Sequence, residues 1–158
     1  MPRRKKILWK CSDVFAVPLK NGRYAIGQTL IQNMRNVVGI ALFDETVNSI
    51  DNVDLDQFCK KENLISLVET TIEQLTYGAW KILGSKEINI PQADFPNEEF
   101  RKTKWIGMIT YDAALAEDFL NAFYGLQPWD DWFNPNFLDE FLVDKSKKPA
   151  NLILIKNK

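Results

Sequence analysis

Apolar residues first gather into short runs that alternate with polar ones. Val14 to Leu19 and Tyr24 to Ile31 are two such runs, separated by Lys20-Asn21-Gly22-Arg23. Asn-Gly tolerates positive φ at both central turn positions, so the pattern predicts a β-hairpin closed by a type I′ turn. Pro18 has no N–H for a ladder, which places it at an edge or near a strand end. Val37 to Phe43 reads as a third strand, with Val38, Ile40 and Leu42 alternating onto one face. Leu64 to Thr70 is a fourth, rich in β-branched residues. Ala79 to Leu83, between Gly78 and Gly84, is a fifth, and Trp105 to Tyr111 has the same character. Asn151 to Ile155 is a last short strand expected to close the sheet.

Helical spacing is rarer. Leu115, Phe119 and Phe123 repeat every four residues behind Asp112, an N-cap candidate, and Gly125 supplies a C-terminal stop. Asp54 caps a second expected helix near 54–62, ended by Asn63. Asn134 and Pro135 fit the cap and first position of a third, near 135–143, with Phe137, Leu138, Phe141 and Leu142 on its apolar face. Residues 91–104, with two prolines among charges, read as a surface loop. The expectation is an α+β fold: an antiparallel, strongly twisted sheet able to curl into a partial barrel, with two or three short helices. At 158 residues the chain suits one domain over 1–158.

Composition changes this picture little. The 46% hydrophobic and 26% charged content is that of a globular chain, which argues against wholesale disorder. No uncharged apolar run approaches the ~20 residues of a membrane helix. The N-terminal MPRRKKILW starts like a signal peptide, but Lys10 and Asp13 interrupt any apolar region, so a cytoplasmic location is expected. Cys11 and Cys59 are too few for a disulfide framework and predict reduced thiols.

Charge is segregated. Residues 1–43 carry eight basic groups against the single acid Asp13, and 112–144 carry eight acids without a Lys or Arg. Lys145, Lys147, Lys148, Lys156 and Lys158 then turn the end of the chain basic. Such asymmetry speaks to partners, not to fold.

The chain contains no histidine, which removes Ser-His-Asp and Cys-His catalysis and His-ligated zinc. Two cysteines 48 positions apart make a poor zinc site, and the glycines form neither GxGxxG nor a phosphate loop. Asp51, Asp54 and Asp56 lack the spacing, turn glycine and terminal glutamate of a calcium loop. A carboxylate-only hydrolase would need two carboxyls from distant segments, since adjacent Asp130 and Asp131 diverge in an extended chain. No metal, nucleotide or other cofactor is expected, and no enzymatic activity.

Trp129-Asp130-Asp131-Trp132-Phe133 supports two readings. Its tryptophans can pack in the core while its aspartates cap turns. Alternatively, Trp129, Asp130, Asp131 and Trp132 form an acidic, aromatic surface for a basic partner.

Asp13-Val14-Phe15-Ala16-Val17-Pro18-Leu19, followed by Gly22-Arg23-Tyr24-Ala25 and Gly27-Gln28, resembles the N-terminal signature of immunity protein family 26 from bacterial polymorphic toxin systems. Gly78-Ala79-Trp80 with Gly84 is similar to its middle element. Gly125-Leu126-Gln127-Pro128-Trp129-Asp130-Asp131, continuing through Pro135-Asn136-Phe137, looks like its C-terminal region. The family commonly has glycine before the aspartate, where this chain has Ser12. The resemblance implies a single immunity-type domain that binds and neutralises a cognate toxin without catalysis. A basic nuclease is the toxin class best suited to the acidic surface, because it must itself bind phosphates. A competing reading is a small-barrel nucleic-acid-binding regulator, using the basic N-terminal hairpin with Trp9, Phe15 and Tyr24 as stacking aromatics.

Overall fold

The computed structural model describes residues 4–130 and 134–155. Among these the strands are β1 (Asp13–Pro18), β2 (Tyr24–Ile31), β3 (Val37–Val47), β4 (Leu64–Thr71) and β5 (Lys81–Ser85). The α-helices are α1 (Glu73–Thr76) and α2 (Ala113–Phe123). The strands form one antiparallel sheet in the order β4-β3-β2-β1-β5, so the fold is α+β. The first four make a meander, and β5 returns to pair with the far side of β1.

Side chains alternate across a strand, and both faces of this sheet are covered. Phe15, Val17, Ala25, Val38, Ile40 and Leu42 face α2 and the aromatic residues Trp80, Trp129 and Phe141. Val14, Ile26, Ala41 and Phe43 pack on the opposite face against Phe58, Cys59 and Ile90. Four strands sandwiched in this way explain why their sequences read as nearly continuous apolar runs.

The hairpin is present, but its turn is not type I′. Gly22 has φ +83°, whereas Asn21 is not at positive φ. Gly22 N–H donates to Leu19 O at 3.1 Å and Leu19 N–H to Arg23 O at 2.8 Å. This is a three-residue loop, a type I turn whose third residue forms a left-handed bulge, and only the glycine needs positive φ. Pro18 ends β1, beyond the Asp13–Ala16 span that pairs with β5.

Several expected elements differ. Residues 54–62 form not one helix but two 3-10 turns, Leu55–Gln57 and Lys61–Asn63. Extended Phe58 and left-handed Cys59 (φ +64°) break them, because both side chains are drawn into the second core. Asp54 does cap the first turn, accepting from Asp56 N–H. The fifth strand lies at Lys81–Ser85 rather than 79–83, which frees Trp80 for the core and puts Gly84 inside the strand.

Trp105 to Tyr111 is not a strand. Lys104 and Trp105 are left-handed, and only Tyr111 reaches the sheet, through a parallel bridge to Thr70. The 135–143 helix is reduced to a 3-10 turn at Phe137–Phe141, with Asn136 rather than Asn134 at its cap position. Asn151 to Ile155 forms no strand and the sheet stays open. Its β4 edge is instead blunted by Tyr111 and Val143, whose N–H groups donate to Glu69 O at 2.8 Å and Ile65 O at 3.0 Å. Among the described residues no helix is long and apolar enough to cross a membrane.

Ser12, the departure from the resembled pattern, sits at φ +78°, a conformation that favours glycine. Backbone bonds hold it there, from Ser12 N–H to Thr29 O at 2.9 Å and from Lys86 N–H to Ser12 O at 3.1 Å. Its hydroxyl makes only a 3.4 Å contact with the Ser85 hydroxyl. Ser12→Gly should therefore raise stability by about 0.5–1 kcal/mol, the left-handed strain relieved less the added chain entropy. A urea midpoint below that of the parent protein would overturn this account.

Candidate partner-binding site

Helix α2 starts at Asp112, whose carboxylate accepts from Ala114 N–H at 2.9 Å. Its inner face, Ala113, Ala116, Phe119 and Leu120, is buried, while Leu115 and Asp118 lie one turn apart on its flank. Left-handed Gly125 (φ +73°) ends the helix and turns the chain back. Leu126 N–H bonds Asn121 O at 2.8 Å, and the chain delivers Trp129 against Phe119, ring centres 5.7 Å apart.

A groove of about 320 Å³ opens beside this return. Leu115, Phe137, Leu138 and Ile155 give it apolar walls, and Asp118 and Asp130 add carboxylates. Gln127 also lines it; its amide N–H donates to Asp118 Oδ1 at 3.1 Å, while its buried carbonyl oxygen has no partner among the described residues. An apolar slot with two carboxylates suits a long basic side chain, which can bury its stem and pair its head.

The structure sorts the seven acids of 112–144 that lie within the described residues. Asp112 and Asp144 cap turns, and Glu117 accepts from Gln74 at 2.9 Å and from the Trp80 indole at 3.3 Å. Asp139 pairs with Lys148 at 2.9 Å, so the segment's field is partly neutralised from outside it. Asp118 and Asp130 remain at the groove, and Glu140 is exposed.

Of the four residues singled out from sequence, two lie within the described chain. Trp129 is only 1% exposed and belongs to the core. Its indole N–H donates to Asp139 Oδ1 at 2.7 Å, and its backbone N–H to Ile153 O at 2.9 Å. Asp130 is half-buried and accepts from Ile155 N–H at 2.8 Å. Asp131 and Trp132 lie outside the described residues. Leu115, Asp118, Gln127 and Ile155 are not among those four, although Gln127 stands in the C-terminal resemblance and Asp118 in the acidic run, and the Leu115-to-Asp118 spacing puts those two on one flank.

Elsewhere the chemistry is sparse. Burial, then the Glu45 charge, push the Cys59 thiol up to about 12, which keeps it protonated and unreactive. Among the described residues no three His, Cys, Asp or Glu side chains converge to hold a metal ion. Burial also raises the Glu69 carboxyl, opposed by the amides of Asn97 and Asn33 at 2.7 and 3.1 Å. On the basic hairpin Phe15 is fully buried, and Trp9 packs on the core with its indole bound to Thr76. Tyr24 is half-buried, so the hairpin offers no open row of stacking rings.

Residues 12–103 match the family Immunity protein 26, and since this is more than half of the 158-residue chain, the protein belongs to that family. Immunity proteins of this kind are generally non-enzymatic. No curated protein and no solved structure matches the chain. The matched span contains all five strands, whereas α2 and the groove lie beyond it.

Proposed function

We propose that this protein neutralises a cognate bacterial toxin by binding it directly in the cytoplasm, without catalysis. Family membership across the whole sheet is the observation that carries this reading. The groove between α2 and the C-terminal segment is the contact surface the geometry favours, with Asp118 and Asp130 receiving a basic side chain of the toxin. Asp131 and Trp132 are kept in the contact on their adjacency to Asp130 in sequence. A nuclease fits best, because its phosphate-binding groove supplies the required positive charge. The nucleic-acid-binding alternative is not favoured, as Phe15 is unavailable for stacking.

The test is capture of the toxin domain encoded beside this gene, followed by stopped-flow association at several salt concentrations. Asp118→Lys with Asp130→Lys should slow association roughly tenfold and flatten its salt dependence, because steering is what these charges provide. A doubly reversed protein that melts normally and associates at the original rate would remove the groove from the interface. A chain that does not bind the neighbouring toxin at all would remove the function.

A further inference from the structure

The segment 104–110 has an unusual combination of order and exposure. Ile106 is 77% exposed and Ile109 58%, yet hydrogen bonds hold the backbone that carries them. Trp105 N–H donates to Phe100 O at 2.8 Å, Ile106 N–H to Thr103 O at 3.1 Å, and Met108 N–H to Trp105 O at 3.2 Å. At its base Asn97 clamps Ile109 on both sides, accepting from Ile109 N–H at 2.9 Å and donating to Ile109 O at 2.7 Å. The same Asn97 amide donates to buried Glu69 in β4, so the knuckle is tied to the sheet. Arg101 is held over the Trp105 ring at 4.9 Å and bound to Glu98 at 2.7 Å. Left-handed Lys104 and Trp105 are conformations such residues seldom adopt, and backbone of this kind concentrates at functional sites.

From this we infer that the Ile106–Ile109 knuckle is the apolar anchor of the toxin interface, inserting its two aliphatic side chains into a pocket on the toxin. The inference rests on the function proposed above and assigns the anchor that buried Trp129 does not supply. A rigid loop that already holds apolar side chains in water loses little conformational freedom when it binds. Lys102 and Lys104 are exposed beside it, and among the described residues neither has an ion-pair partner. Glu99 is the one exposed acid on the preceding turn, so the toxin pocket is expected to carry a carboxylate at its rim. Two free cations fall short of the four to eight that mark recognition of anionic lipid, which favours a protein pocket over a membrane. Ile109 is six residues from Leu115 of the groove, a separation of at most about 20 Å. A standard interface of roughly 800 Å² per partner spans both.

The experiment compares three full-length proteins, parent, Ile106→Ser/Ile109→Ser and Asp118→Lys/Asp130→Lys, binding the toxin domain encoded beside the gene. Both isoleucines are exposed, so the serine variant should melt like the parent; Ile106→Ala is the milder substitute should it not. The serine variant should lose roughly thirtyfold or more in affinity, nearly all as faster dissociation, whereas the charge variant changes association. Parent binding with an unaffected serine variant would overturn the anchor while leaving neutralisation in place. Absence of parent binding would overturn both. Co-sedimentation with phosphatidylserine-containing vesicles that the serine variant abolishes would reassign the knuckle to lipid. A parent dimer in solution that the serine variant dissociates would reassign it to self-association.

Discussion

Gly27→Ala should lower the stability of this protein by about 3 kcal/mol, although it adds only one methyl group in the middle of a strand. Gly27 in β2 lies directly opposite Phe15 in β1, and the Phe15 ring folds across it. A Cβ at position 27 would sit 2.5 Å from Phe15 Cζ, 2.7 Å from Phe15 Cε2 and 3.0 Å from the backbone oxygen of Ala41. The ring has nowhere to retreat. It is fully buried and stacked on Trp80, with centroids 5.1 Å apart and planes 6° from parallel. Trp80 is itself held, its indole N–H bonded to Glu117 on α2. The melting temperature should fall by roughly 6–12 °C, at about 2–4 °C per kcal/mol for a chain of this length. Phe15→Leu in the Gly27→Ala background should recover part of the loss, giving a coupling energy that two independent sites would not show. A Gly27→Ala protein melting within a degree of the parent would mean that the ring is not locked.

This close approach gives the N-terminal signature a physical meaning. Asp13 accepts from Ser85 Oγ and Lys10 N–H, both at 2.8 Å, and Gln28 donates to Lys86 O at 2.7 Å. Together with Gly27 beneath Phe15, these contacts bind β1, β2 and the returning β5 into one unit. The signature residues thus build the scaffold of the sheet.

What the sequence disclosed follows from the range of the forces involved. The first hairpin, the alternation of Val38, Ile40 and Leu42, and the Asp112 cap of α2 are local signals, and all appear in the structure. Residues 105–111 and 151–155 have strand composition, but a strand also needs a partner edge, which composition does not reveal. Tyr111 alone meets β4, and Ile153 and Ile155 bond Trp129 and Asp130 instead of the sheet. The site was half visible for the same reason. Trp129 and Asp130 stood out as a motif, whereas Leu115, Asp118 and Ile155 join them only through tertiary packing. The apolar knuckle was hidden by its own β-branched residues, because left-handed Lys104 and Trp105 carry no signature in residue type.

Trp129→Ala should cost about 3–5 kcal/mol, the loss expected for a large aromatic side chain in a core that cannot fully collapse. The ring packs on Phe119, the Lys148 ammonium lies 5.7 Å from its centre, and its indole N–H ends on Asp139. Trp129→Phe separates these contributions, keeping most of the packing and deleting the N–H, for about 1–2 kcal/mol. Asp139 then provides a pH signature. Burial pushes its carboxyl up, but hydrogen bonds from Lys148 and Trp129 outweigh that and hold it below its usual range. A carboxyl depressed by folding adds stability that is fully present above its unfolded pKa of roughly 3.9 and is lost as pH falls through the folded value. Removing the indole donor should raise the folded value, so Trp129→Phe should show a smaller stability difference between pH 6 and pH 2.5 than the parent. Urea titrations at the two pH values measure this directly. Equal differences in both proteins would mean that the indole does not stabilise the Asp139 charge. The same variant separates a core tryptophan from an exposed anchor. Trp129→Phe should bind toxin within about threefold of the parent while melting at lower temperature. A protein that kept its melting temperature and lost its toxin would put the anchor back at Trp129 and take it away from Ile106 and Ile109.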